Sequence, residues 1–295
     1  MPLLCCIVIS GARATPPGAD AVAREIEFVN HFAAVRNIHY GTPQAPVVVF
    51  DRSADGQTRV NTFERWRRND HGDGPVGASD LAIFRSGKLR GTGILVTEPR
   101  DPTRSRDYRL WLPSLRKVRR FAEPDPADNW GGSNFSYGDI YVRRPHDEQH
   151  RLLGRETFDD CLGVVQLPPT ERDRHTAAIP GADCSARGRA VFRLQSRPYR
   201  NDLGYDERIS WVDVETFADY RALYYRDGQP VKVIDKAWRS MQLDDPRAQY
   251  WVYWYARSFA DDRQGMAFVA PDAVQWNTEL DPDLWSEQTL RRIRR

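Results

Sequence analysis

From residue 58 onward the chain falls into short runs of alternating apolar and polar residues, separated by glycine, proline, aspartate and asparagine. That rhythm restricts the fold more than any other feature. Successive side chains of a strand point to opposite faces, so period-two runs build sheets with one face against a core. The runs cover residues 58–68 (Val60, Phe63, Trp66), 81–84 and 93–97 around Ser86-Gly87-Lys88, and 108–112 and 118–121 around Pro113-Ser114-Leu115-Arg116. Further candidates are 151–157, 163–167, 190–196, 208–213, 250–259 and 265–270. Residues 220–226 and 229–235 flank Asp227-Gly228, a strong two-residue hairpin signal. Helical spacing is confined to three places. Val22, Ile26, Val29 and Phe32-Ala33 predict a helix over 19–40, with Asp20 as N-cap and Gly41-Thr42-Pro43 as its stop. A short helix capped by Ser136 is expected over 135–142, after the turn Trp130-Gly131-Gly132-Ser133-Asn134, and an amphipathic helix closes the chain over 284–294. The expected fold is mainly β (α+β): an antiparallel sheet or partial barrel with a few helices as plug or lid.

The aromatic content, with 9 Trp, 12 Tyr and 12 Phe, suits strands and also a greasy pocket. A net charge of +2 leaves no global basic field, which argues against nucleic acid as a partner. Only four of the 43 basic residues are lysines (Lys88, Lys117, Lys232, Lys236), a bias of genome composition or of bidentate anion binding. At the N-terminus Leu3-Leu4-Cys5-Cys6-Ile7-Val8-Ile9 reads as the apolar part of an export signal, with Ala12-Arg13-Ala14 as its small-x-small cleavage site. Residues 1–14 are therefore expected to be a leader, 19–295 a single domain, and the mature protein periplasmic; a buried first strand is the alternative. If Cys5 and Cys6 leave with the leader, Cys161 and Cys184 remain, a disulfide candidate in an oxidising compartment or two buried thiols.

Motifs of enzyme chemistry are absent. His146 and His150 have i, i+4 spacing, but Asp147 stands where a zinc-protease helix has glutamate and Pro145 precedes them, so a solvated loop is expected and no metal. There is no G-x-S-x-G elbow and no phosphate-binding loop. Asp159-Asp160, Asp244-Asp245 and Asp261-Asp262 lie in turn-like contexts. The basic run Arg116-Lys117-Val118-Arg119-Arg120 between Trp111 and Phe121 is read as a strand with one charged face. No catalytic residue and no cofactor is assigned.

Several segments resemble one family. Lys88-Leu89-Arg90-Gly91-Thr92-Gly93 opens a strand, and Trp111-Leu112-Pro113-Ser114-Leu115-Arg116-Lys117-Val118-Arg119-Arg120 matches a W-L-P-x-L-x-x-V-R-R hairpin. Asn134-Phe135-Ser136-Tyr137-Gly138-Asp139-Ile140 follows in order, and Trp276-Asn277-Thr278-Glu279-Leu280 with Leu284-Trp285-Ser286 comes near the end. Together they resemble the outer-membrane lipoprotein-sorting proteins of the LolA/LolB-like carrier fold, best over 58–142 and more loosely over 200–290. Val212-Asp213-Val214-Glu215-Thr216 departs from that family's I-D-P-E-T element by lacking its proline. The resemblance implies a strongly curved antiparallel sheet, an incomplete β-barrel with helices covering an apolar concave face. It also implies a carrier of lipid or lipoprotein acyl chains, working toward the outer membrane beside an inner-membrane exporter. Trp66, Phe84, Ile94, Tyr108, Leu110, Trp111, Trp211, Tyr224, Trp251 and Tyr253 are the candidate wall of its cavity; ordinary core packing is the alternative for each, because alternation does not say which face is concave. The competing functions are an interaction module of an envelope complex with a filled core, and a hydrolase built on a carboxylate pair.

Overall fold

The computed structural model describes residues 17–69, 72–141, 143–172, 176–177, 179 and 181–293. The expected leader and Cys5 and Cys6 lie outside them. The molecule is mostly β, a single large antiparallel sheet that does not close. The strands are β1 (Asn37–Tyr40), β2 (Val47–Arg52), β3 (Thr58–Arg68), β4 (Val76–Phe84), β5 (Gly93–Pro99), β6 (Asp107–Leu112) and β7 (Lys117–Phe121), then β8 (Glu148–Thr157) and β9 (Ala190–Pro198). They continue with β10 (Glu207–Asp213), β11 (Asp219–Arg226), β12 (Gln229–Ser240), β13 (Gln249–Ser258), β14 (Gln264–Phe268) and β15 (Val274–Trp276). Three α-helices accompany them among the described residues: α1 (Ala19–Asn30), α2 (Tyr137–Ile140) and α3 (Glu287–Arg291).

Two antiparallel meanders make up the sheet. β2 to β7 form one and β8 to β14 the other, and they join where β2 pairs with β14. β1 pairs with the far end of β3 and with β15. The two free edges are therefore β7 and β8, which are consecutive in the chain. The connection between them, residues 122–147, has to run from one edge of the sheet to the other.

Alternation assigns the two faces. Val49, Phe63, Ala82, Phe84, Ile94, Val96, Tyr108, Ala222, Tyr224, Ile234 and Trp254 gather in the main cluster on one face. The other face carries Val48, Phe50, Tyr253, Tyr255 and Met266 under the loop around Leu162 and Val165, and farther along Trp66, Leu81, Ile83 and Leu95 under Leu290 of α3. Cys161 and Cys184 are joined by a disulfide that closes that loop, their Cα atoms 4.2 Å apart.

Three expectations are corrected. The first helix ends at Asn30, not at Tyr40. Phe32 takes a left-handed conformation (φ 53°), with Phe32 N–H donating to Val29 O and Ala33 N–H to Phe28 O. That is a Schellman stop without glycine, and it frees residues 37–40 to pair as β1. Residues 163–167 form no strand; Leu162, Val164, Val165 and Leu167 lie on the sheet face without joining its ladder. Conversely, Val47-Val48-Val49-Phe50 is the strand that joins the two meanders. Being buried on both faces it shows no alternation, and so carries no period-two signal. The Asp227-Gly228 turn forms as expected, with φ of 50° and 74°. His150 lies within β8, its ring bonded to Ser196 Oγ and Pro145 O, while His146 is exposed as a loop residue would be.

Candidate functional site

The edge-to-edge connection decides what the main face can hold. Trp130-Gly131-Gly132 begins a tight turn in which both glycines have positive φ (59° and 72°). A Cβ on Gly131 would approach Leu89 Cδ1 to 3.2 Å, so both the backbone conformation and the close contact require glycine there. The turn is closed by Trp130 N–H donating to Phe135 O at 2.7 Å. Ser136 and Asp139 then form a reciprocal capping box at the start of α2, as the capped short helix predicted.

These local devices project a row of aromatic rings onto the sheet. Trp130 packs 5.2 Å from Phe63 and 5.4 Å from Phe84, Phe135 lies edge-on to Trp254 at 6.0 Å, and Tyr137 and Tyr141 meet Tyr108 at 6.3 and 5.9 Å. Between this row and the sheet only about 20 Å³ remains, beside Trp251, Trp254, Arg65 and Asp80. That is room for roughly one water, against the several hundred Å³ of an ordinary ligand pocket.

A larger space lies outside the row. A cleft of about 600 Å³ is lined by Tyr108, Tyr137 and Tyr141, by Arg106 and Glu123, and by Arg143, Arg144, Glu148 and Tyr199. A second cleft of about 570 Å³ continues beneath α1 past Glu27, His31 and Glu98, sharing Arg106, Arg144, His146, Glu148 and Tyr199 with the first.

Charges in and under the clefts are arranged in two groups. Arg67 donates to Glu98 at 2.6 Å, and Arg106 bridges Glu98 at 3.8 Å and Glu123 at 2.8 Å. Burial pushes the Glu98 carboxyl up, but Arg67, His31 and Arg106 together outweigh it and hold the carboxyl well below the usual range. Half-buried His31 beside these arginines is pushed down to about 4 by desolvation first and Arg67 second, so its ring is neutral. Burial raises Glu27, with Arg106 opposing. In the second group Asp139 accepts from Lys232 and from Tyr224 Oη (3.2 Å), and Glu148 accepts from Arg208 and from Tyr205 Oη (3.3 Å). Burial opposes ionisation of both acids, and Lys232 with Arg143 at Asp139, and Arg208 with Arg143 at Glu148, reverse it.

The ten residues expected to form a cavity wall divide between the faces. Phe84, Ile94, Tyr108, Tyr224 and Trp251 share the main cluster, with Leu110 packed at its margin. Trp66 and Trp111 pack with α3 on the opposite face, and Trp211 and Tyr253 pack under the disulfide loop. Of the ten only Tyr108 lines the 600 Å³ cleft. Arg106, Arg143, Arg144, Tyr137 and Tyr141 were not singled out from the sequence as site residues. Their available signal was the Phe135-Ser136-Tyr137 segment running into two consecutive arginines. Among the described residues no group of three or more His, Cys, Asp or Glu side chains is placed to hold a metal ion.

A family model described as "Uncharacterized protein" matches residues 78–292. No curated protein matches the chain by sequence. Three solved structures share its fold. An outer membrane lipoprotein-sorting protein domain from Vibrio parahaemolyticus superposes with a TM-score of 0.67 at 17% identity, over 93% of this chain and 98% of its own. A DUF1329 family protein from Desulfovibrio piger gives 0.67 at 16%, over 94% and 100%. A LolA superfamily protein from Nitrosomonas europaea gives 0.56 at 12%, over 92% and 99%. The expected lipoprotein-carrier-like architecture, an open antiparallel sheet, is thus the fold of this chain, and no catalytic family is indicated.

Proposed function

The chain belongs to the family whose model spans residues 78–292, and we propose that it is a periplasmic carrier that takes up lipid or lipoprotein acyl chains and passes them toward the outer membrane, receiving them from an inner-membrane exporter. The observation that carries this reading is the 600 Å³ cleft lined by three tyrosines, in a fold shared with a lipoprotein-sorting domain. Its volume falls in the range of small-molecule sites. On this reading the clefts are the entrance. Trp130, Phe135 and Tyr141 pack on the main face, and acyl chains enter by displacing that row. No described helix is long and apolar enough to cross a membrane, and the leader expected at residues 1–14 supplies the route of export.

The test is titration of the purified mature protein with a fluorescent fatty acid. Saturable binding near one equivalent is expected. Absence of any binding at micromolar protein removes the carrier reading. It then leaves the second one, an interaction module with a filled core, which the 20 Å³ of space beneath the aromatic row favours. Cell fractionation of the tagged full chain tests periplasmic location.

A further inference from the structure

We propose that the cleft contains an oxyanion subsite, centred on Arg143, that takes the phosphate-type headgroup of an anionic amphiphile. The inference rests on the carrier reading for the apolar part of the ligand and names the headgroup that reading leaves open.

Arg143 lines the 600 Å³ cleft, yet only 8% of its side chain is exposed. Its Nε has no hydrogen-bond partner, and its nearest carboxylate, Asp139, is 3.7 Å away. The guanidinium stacks over Tyr205 at 4.9 Å and Tyr224 at 5.7 Å, which fixes its plane and leaves Nε without an acceptor. A buried arginine is ordinarily paired, because an uncompensated charge away from water is costly.

Its ion pair with Asp139 is long, and both nearby acids are engaged more closely by other groups. Asp139 is held by Lys232, Tyr224 Oη and the Ser136 backbone N–H, and Glu148 by Arg208 and Tyr205 Oη. The cluster therefore sets three cations, Arg143, Arg208 and Lys232, against two carboxylates. Arg144, next along the cleft, adds to the imbalance: its guanidinium donates to the carbonyls of Pro102 and Arg104 and has no carboxylate partner. The other two arginines of the cleft are neutralised, Arg106 by Glu123 and Glu98 and Arg200 by Asp125 and Asp202.

A planar guanidinium whose Nε lacks an acceptor is suited to a phosphate or carboxylate oxyanion. A Cβ on Gly138 would stand 3.0 Å from Arg143 Nη2 and 3.0 Å from Pro126 O, so glycine there lets the guanidinium lie against α2 without displacing either. Tyr108, Tyr137 and Tyr141, which line the same cleft, are the apolar surface that the remainder of an amphiphile would meet.

Calorimetric titration of the mature protein with inorganic phosphate, dihexanoyl phosphatidic acid and uncharged dihexanoylglycerol tests this. Phosphatidic acid is expected to bind at least tenfold more tightly than dihexanoylglycerol, and Arg143→Gln to erase that advantage without changing the affinity for the uncharged lipid. If inorganic phosphate binds, Arg143→Gln abolishes that binding and neither lipid binds more tightly than phosphate, the subsite stands with free phosphate as its ligand and the carrier reading fails. No preference of the wild type for either anion, or equal affinity of wild type and Arg143→Gln for both, overturns the subsite. Should the glutamine variant not fold, Arg143→Lys keeps the charge and removes the fork. A threefold or greater loss for the bound anion then supports the subsite, and unchanged affinity overturns it.

Discussion

Replacing Trp130 by alanine tests whether the edge-to-edge connection is packed into the molecule or merely laid across it. The indole is 4% exposed, between Phe63 and Phe84. A buried tryptophan removes roughly 200 Å² from water, worth about 5 kcal/mol at 25 cal/mol per Å². Against this, its Nε1–H is buried without a partner, and deleting an unsatisfied donor returns about 1–3 kcal/mol. The expected net loss is about 3 kcal/mol, at the low end of the ~3–5 kcal/mol range for large aromatic-to-alanine changes. Trp130→Phe keeps most of the contacts and removes the orphaned N–H, so it should cost at most about 1 kcal/mol. Urea unfolding followed by circular dichroism reads both, provided the slope with denaturant is unchanged. A loss below about 1 kcal/mol for the alanine variant would refute the packed connection, and with it the idea that acyl chains must displace this row. The same variant should also bind the fluorescent fatty acid more tightly, because the competing ring is gone.

Other consequences follow from individual residues. His31, held near 4 by burial and then by Arg67, is neutral when folded and protonates near 6.5 when unfolded. Stability is therefore lost as pH falls from about 6.5 to 4, by about 3 kcal/mol in all at roughly 1.4 kcal/mol per pH unit. His31→Asn should flatten that acid limb in denaturation curves taken between pH 7 and 4.5, and an NMR titration of the His31 ring with a midpoint near 6.5 would contradict it. Cys161→Ser with Cys184→Ser opens the loop covering Tyr253 and Tyr255 and should cost roughly 3 kcal/mol; an unchanged urea midpoint would show that the bond constrains little. Gly163→Ala would drive a Cβ into two carbons of the Tyr255 ring, for a cost of about 1–3 kcal/mol, read as a drop in melting temperature. A variant as stable as wild type would mean the loop does not press on β13.

What local chemistry determines was legible residue by residue. Alternation placed β3, β5 to β7, β9 to β11, β13 and β14 close to their observed bounds and found only part of β4 and β12; Asp227-Gly228 formed its hairpin; and Ser136 capped its helix with Asp139 as partner. Each of these depends on a few neighbouring residues, so the signal survives in the linear order. Val47–Arg52 was not legible, because a strand buried on both faces loses its period. The stop at Phe32 was hidden because a non-glycine residue adopts the left-handed turn there.

The candidate site was the least readable part. Alternation separates two faces of a strand but does not say which one a distant segment will cover. Only the pairing of β2 with β14 decided that, by sending β7 and β8 to opposite edges and forcing residues 122–147 across the face that carries Phe84, Tyr108 and Trp251. That closure depends on partners more than 200 residues apart. Likewise, Arg143 is an ordinary arginine in the sequence. It becomes a buried guanidinium with an unsatisfied Nε, 3.7 Å from its carboxylate partner, only where Asp139, Lys232, Glu148 and Arg208, drawn from four separate segments, meet.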